Sequence, residues 1–248
     1  MSENLKLFDK ALSYHTLGDP EIREQITQSA MQVIAGSSDP AIKQAFFDKA
    51  KSELEKQIAK TPTDARYELF LGSFLNRTQL REESLKHLEK ALTLSPKKMT
   101  IFFEIGSNYI SQGNYPKAVE YLKKAYELEP HYLEARNFYA LAAIYNKDLK
   151  LVDELSKPLY GTTLSFDDRF IKAYSDTKQY TRIVAILEGR VKENPTNPQF
   201  HVALAAGYLQ VNERNKAIAE IQKAIELNPA FKEEGENYIK EIRAGRTP

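Results

Sequence analysis

Residues 65–96, ARYELFLGSFLNRTQLREESLKHLEKALTLSP, and residues 99–130, MTIFFEIGSNYISQGNYPKAVEYLKKAYELEP, carry one pattern 34 positions apart. Leu71, Gly72 and Leu75 return as Ile105, Gly106 and Tyr109, and both segments end on a proline, Pro96 or Pro130. On either side the proline column continues as Pro62, Pro195 and Pro229, giving separations of 34, 34, 65 and 34. The column of Leu71 and Ile105 continues as Tyr139, Phe170 and Leu204, with separations of 34, 34, 31 and 34, so one copy is three residues short. The next column holds Gly72, Gly106, Ala140, Ile171 and Ala205, and three positions on come Leu75, Tyr109, Ala143, Tyr174 and Tyr208. Second-half columns hold Ser84, Ala118, Ile183 and Ala217, then Leu88, Leu122, Leu187 and Ile221, then Ala91, Ala125, Arg190 and Ala224; the third copy loses register there.

This alternation of small and large residues, closed by a proline, resembles the tetratricopeptide repeat, a helix-turn-helix unit whose small residues let its two helices approach and whose proline ends the second helix. The resemblance covers roughly residues 65–230 and implies an all-α fold, a right-handed superhelical solenoid of helix-turn-helix repeats with a C-terminal capping helix. Three parts are expected. Residues 1–62 form N-terminal helices, a half repeat plus two longer helices, that stack on the solenoid. Residues 63–230 form five repeat units, the third degenerate at about 133–163. Residues 231–248 form a capping helix and a frayed tail that starts at Ala244. A solenoid of this kind is one continuous stack, so one elongated domain is expected.

Residues 3–14 place Leu5, Phe8, Ala11 and Leu12 on one helical face. Gly18-Asp19-Pro20 then starts a second helix, with Asp19 as its cap and Ile22, Ile26, Ala30 and Ile34 as its apolar stripe. Asp39-Pro40 repeats the signal for a third helix to about Lys60, striped by Ile42, Phe46, Ala50, Leu54 and Ile58. In the third unit a first helix at Leu133 to Tyr145 precedes a second at Leu149 to Leu159 that contains Pro158 and ends in Gly161-Thr162-Thr163. A kink or hinge is expected there, letting the chain bend between residues 1–160 and 164–244. In the last segment Phe231, Gly235, Tyr238, Ile239 and Ile242 share a face, and the polar outer surface suits a terminal cap.

The chain has 248 residues, 42% hydrophobic and 28% charged, which suits a packed soluble protein. With 35 basic and 34 acidic side chains the net charge is +1, so there is no electrostatic reason to expect nucleic acid or an anionic membrane as partner. No cysteine is present, which excludes disulfides, thiolate metal sites and cysteine nucleophiles. The first residues, MSENLKLFDKAL, lack a basic stretch followed by an apolar one, and the longest apolar run, Tyr139 to Tyr145, is too short to cross a bilayer.

Nothing in the sequence announces chemistry. His15, His87, His131 and His201 lie in different segments without a second ligand at helical spacing, so surface or packing roles are expected and no metal or other cofactor. Glu82-Glu83, Asp167-Asp168 and Glu233-Glu234 sit where helices begin and complement the helix dipole. Phosphate loops, zinc-protease helices and nucleophile elbows are absent from the sequence, so no enzyme activity is expected of this chain. Ser95-Pro96-Lys97-Lys98 looks like a minor-groove or kinase-substrate tetrapeptide, but Pro96 fills the helix-ending column and the lysines open the next unit.

In the family, first-helix positions outside the packing columns line an inner, concave surface that holds extended or helical peptides. By register that surface takes Leu69, Phe70, Ser73, Asn76 and Arg77 from the first unit and Phe103, Glu104, Ser107, Ile110 and Ser111 from the second. Asn137, Phe138, Leu141 and Ile144 come from the third, and Asp168, Arg169, Lys172, Ser175 and Asp176 from the fourth; the fifth offers the bland Val202, Ala203, Ala206, Leu209 and Gln210. Family members that grip the C-terminal carboxylate of chaperones use lysines and asparagines at matching slots. Here Phe70, Ser73, Glu104 and Ser107 stand in their place, so a chaperone-tail adaptor is not expected. The resemblance implies a scaffold whose partner is a protein or peptide segment, with the groove phenylalanines either binding it or packing inward. A weaker resemblance links residues 8–25 and 90–98 to repeat tails that follow the membrane region of bacterial O-antigen polymerase or ligase-like proteins. That alternative makes the chain a soluble tail on the cytoplasmic or extracytoplasmic side of a bacterial membrane, organising glycan-assembly partners.

Overall fold

The computed structural model describes residues 3–160 and 167–247, and every regular element among them is helical. The α-helices are α1 (Glu3–Leu12), α2 (Asp19–Gly36), α3 (Pro40–Lys60), α4 (Ala65–Arg77), α5 (Arg81–Leu94), α6 (Met99–Ser111), α7 (Tyr115–Leu128), α8 (Leu133–Tyr145), α9 (Leu149–Tyr160), α10 (Asp168–Asp176), α11 (Tyr180–Glu193), α12 (Pro198–Gln210), α13 (Arg214–Leu227) and α14 (Lys232–Arg243), with a 3-10 turn at Pro229–Phe231 before the last. They form an all-α solenoid of helix hairpins. The chain falls into two compact units, Met1–Ala135 and Arg136–Pro248, where the sequence leads one to expect a single stack. The division lies in the first turn of α8; the expected hinge at Gly161-Thr162-Thr163 lies outside the described residues.

Helix starts follow side-chain chemistry. Asp39 accepts from the backbone N–H groups of Ala41 (2.8 Å) and Ile42 (3.3 Å), and Asp64, Asp167 and Asn197 each accept from the N–H two residues on. Asp19 departs from the expected cap. It lies inside the first turn of α2, accepts from Thr16 N at 3.0 Å and is only 5% exposed. Arg23 explains the burial: its guanidinium donates to Glu53 at 3.2 Å and Gln57 at 2.7 Å and lies 3.9 Å from Asp19, all four side chains being buried between α2 and α3. The apolar stripe of α3 fades at its start, where Ile42 is 39% exposed.

The first helices of the five repeats end alike. Gln79, Gly113, Lys147, Lys178 and Asn212 all have positive φ, between 59° and 74°. The next residue in each case sends its N–H five residues back, Leu80 to Leu75 O, Asn114 to Tyr109 O, Asp148 to Ala143 O, Gln179 to Tyr174 O and Glu213 to Tyr208 O, at 2.7–2.9 Å. This is the Schellman closure of a helix, which needs one left-handed residue after the last turn. The five turns are spaced 34, 34, 31 and 34 apart, matching the sequence columns. The three-residue shortfall therefore lies between the third and fourth turns, and α10 is 9 residues long where α4, α6, α8 and α12 have 13.

Within each hairpin the columns are the core. Leu71, Ile105, Tyr139, Phe170 and Leu204 are all buried, as are Leu88, Leu122, Leu187 and Ile221 facing them from second helices. A Cβ on Gly72 would fall 2.7 Å from the Leu88 side chain, and one on Gly106 would meet Leu122 closer still, so only glycine allows this approach. Ser84 donates to Gly72 O at 2.7 Å, and the fully buried Asn108 donates to Ser84 Oγ and Arg81 O, both at 3.1 Å, tying α6 to the preceding hairpin. After α14 the backbone closes in the same way, with Gly245 at φ 83° and Arg246 N–H bonding Glu241 O at 3.0 Å.

Candidate functional site

Helix α4 divides its residues by face. Leu71 and Leu75 point into the hairpin core, whereas Leu69, Phe70, Ser73 and Arg77, at helical spacing, form another stripe. Phe74 lies between the two, 1% exposed and stacked on Phe47 of α3 at 5.4 Å. The α4 stripe is one wall of a cleft of about 440 Å³ in the first unit. Helix α2 contributes Thr27 and Met31, one turn apart, and α6 contributes Lys98 at its start with Thr100 and Glu104, again one turn apart.

The floor is apolar and the rim is charged. Arg66 lies over the Tyr67 ring at 4.5 Å, donates to its hydroxyl, and faces Glu24 at 3.7 Å and Asp64 at 4.0 Å, so its charge is shared. The side chains of Arg77, Lys98 and Glu104 make no hydrogen bond or ion pair among the described residues. Unpaired cations therefore outnumber unpaired carboxylates on this lining, although the whole chain is nearly neutral.

Of the residues read from the sequence, Phe70, Ser73, Arg77 and Glu104 come together in this cleft. Asn76 is half-buried beside them, its Oδ1 buried without a hydrogen-bond partner. Ser107 and Ile110 are half-buried further along α6. Three expected surface residues prove buried: Phe103 is 9%, Asn137 7% and Ile144 0% exposed, because their positions on α6 and α8 turn toward packed neighbours. In the second unit Phe138 lies under the Arg169 guanidinium at 5.0 Å, and Arg169 is held by Asp167 at 2.6–3.1 Å. Leu141 is half-buried, while exposed Lys172 donates to Asp176 at 2.7 Å and Tyr145 reaches the same carboxylate at 2.8 Å, so this face is crossed by its own polar contacts.

Thr27, Met31 and Lys98 were not expected at a site. Thr27 and Met31 carry a signal, a one-turn spacing off the Ile22–Ile26–Ala30 stripe of α2. Lys98 reads as the opening of a repeat, and only the fold brings it beside α4. Among the described residues no group of three or more histidines and carboxylates could hold a metal ion, and no helix is long and apolar enough to cross a membrane.

Family models described as Tetratricopeptide repeat match residues 100–132 and 199–231, each spanning a first helix and its partner in the hairpins above. The chain carries tetratricopeptide repeats. A solved tetratricopeptide repeat protein from Parabacteroides merdae is similar with a TM-score of 0.56 at 17% identity, over 89% of this chain and 88% of that one, which establishes the shared fold. YrrB, a repeat protein described as having an unusual peptide-binding site, is similar at 17% identity with a TM-score of 0.46, over 71% of this chain and 92% of that one. A BBSome complex member, the BBS4 homolog of Drosophila melanogaster, is 22% identical over 196 residues, 73% of this chain. The chain spans about 40% of that relative's length. The weaker resemblance to O-antigen polymerase and ligase tails has no counterpart in these matches. Tetratricopeptide repeats make the chain a protein–protein interaction scaffold.

Proposed function

We propose that the scaffold is non-catalytic and holds a peptide or helix of its partner against the first-helix face, with the α2–α4–α6 cleft as the principal seat. The observation that carries this is the cleft itself: an apolar floor of Met31, Leu69 and Phe70 inside a rim of unpaired charges. A floor of that size takes one or two apolar side chains, which is how short segments anchor in grooves. The similarity to a BBSome complex member agrees with a role in assembly.

The test is a display selection of peptides on the full chain, followed by affinities for wild type, Phe70→Glu, Ser73→Tyr and the control Lys90→Glu on exposed α5 surface. Selected peptides should weaken at least tenfold with either cleft variant and be unchanged by the control. Peptides indifferent to both cleft variants would place the binding surface elsewhere.

A further inference from the structure

We propose that the cleft selects an extended acidic segment, an apolar side chain flanked by two side-chain carboxylates about five residues apart; this rests on the reading of the cleft as a peptide site. Arg66 and Arg77 are eleven positions apart on α4, so they stand ~16 Å apart along its axis. Lys98 joins Arg66 and Thr100 at the end where α4 and α6 begin, and Arg77 closes the other end. Lys98 and Arg77 have no partner among the described residues, so each end of the cleft presents a cation available to a ligand. Between them lies the apolar floor. An extended strand advances roughly 3.3 Å per residue, so five residues cover the same ~16 Å.

Glu104 fixes the register. It stands six residues beyond Lys98, ~9 Å along α6, and so faces the middle of the ligand. An unpaired carboxylate there repels acid at the centre and confines it to the ends, while the residue beside it on the ligand fills the floor with an apolar side chain.

The probes are N-acetylated, C-terminally amidated peptides with one leucine between two aspartates set three, five, seven or nine positions apart, plus an Asn/Asn version of each. Binding to the full chain is read by fluorescence polarisation in competition with a display-selected cleft peptide. The five-residue spacing should bind best, at least tenfold tighter than its Asn/Asn version at 50 mM salt, with the advantage shrinking at 300 mM. Arg77→Glu and Lys98→Glu should each erase it, and both should fold, because these exposed side chains bond nothing among the described residues. A peptide with the matching aspartate changed to lysine should recover binding to one of these two variants, and Glu104→Gln should tolerate a third aspartate beside the leucine. Asn/Asn peptides that compete as well as acidic ones, or acidic peptides that bind only with a free C-terminal carboxylate, would overturn the inference and leave the cleft as a peptide site. A display-selected peptide indifferent to both Phe70→Glu and Ser73→Tyr would remove the underlying reading as well.

Discussion

His87 Nδ1 of α5 lies 2.6 Å from Glu68 Oε2 of α4, bridging the two helices of the first repeat. The last repeat holds the same slot with its ends exchanged, His201 on α12 lying 2.6 Å from Glu220 on α13. The slot therefore accepts an imidazole and a carboxylate in either order, while the second repeat fills it with Phe102 and Tyr121. Glu68→Gln or His87→Ala should cost about 1–3 kcal/mol by leaving a part-buried polar group short of its partner. The exchanged pair Glu68→His with His87→Glu should recover most of that. Urea unfolding of the four proteins measures it, and an exchanged pair no better than the sum of its singles would show that the contact carries no energy.

Four of the five left-handed turn residues carry a side chain, and a left-handed residue with a Cβ costs roughly 1–2 kcal/mol. Lys147→Gly and Lys178→Gly should therefore raise stability by up to about 1 kcal/mol, after the entropy that glycine adds to the unfolded chain. Gly113→Ala should lower it by about 1 kcal/mol through φ alone, since nothing lies within 4 Å of the added carbon. Chemical denaturation decides; equal stability of Gly113 and its alanine variant would refute the strain.

Glu53 gives the first unit an acid-sensitive hairpin. Burial pushes its pKa up, but hydrogen bonds and charge from Lys56 and Lys49 outweigh this and hold it below the ordinary carboxylate value. A lowered folded pKa means stability present above the unfolded value near 4.5 and lost as pH falls through the folded one. Thermal melts between pH 7 and 3 should show this loss in wild type. Glu53→Gln should be less stable at pH 7 by about 1–3 kcal/mol, since Arg23 then keeps only Asp19 as a charged partner, and should show a flatter acid limb.

Tyr174 on α10 is 1% exposed, and burial pushes its hydroxyl up to about 12, with Arg182 lowering and Asp153 raising it further. Folding keeps its proton, so this contribution is present below pH 10 and lost as pH rises toward 12. Tyr174→Phe should move the alkaline unfolding midpoint upward. An unchanged midpoint would mean that other tyrosines set the alkaline limb.

Phe70 and Phe103 look alike in sequence and should behave differently. Phe70→Glu should keep the helical circular dichroism and lose peptide binding, whereas Phe103→Glu, at a position 9% exposed, should unfold the first unit. Equal losses of helicity would make Phe70 a core residue too.

The repeat itself was legible because packing columns recur: Leu71, Ile105, Tyr139, Phe170 and Leu204 share a place in sequence and a buried place in the fold. The turns were less legible, because Gln79, Lys147, Lys178 and Asn212 adopt a backbone that sequence reading assigns to glycine. Asp19 misled for a related reason, since a carboxylate beside Pro20 reads as a cap until a distant Arg23 draws it inward. The cleft was half legible. Register places Phe70, Ser73 and Glu104 together, but Met31 comes from a helix outside the 34-residue period and Lys98 from a linker, and only tertiary packing joins them.

The shared turn after each first helix also bears on how such a chain can change. Its closure is made by main-chain N–H and carbonyl groups, so glycine, glutamine, lysine and asparagine all satisfy it. Insertion, duplication or exchange of a segment cut at two such turns leaves the same connector at both cuts. The connector thus works as an interchangeable fitting, and a lineage or a designer can lengthen, shorten or reshuffle the protein 34 residues at a time without solving a new loop.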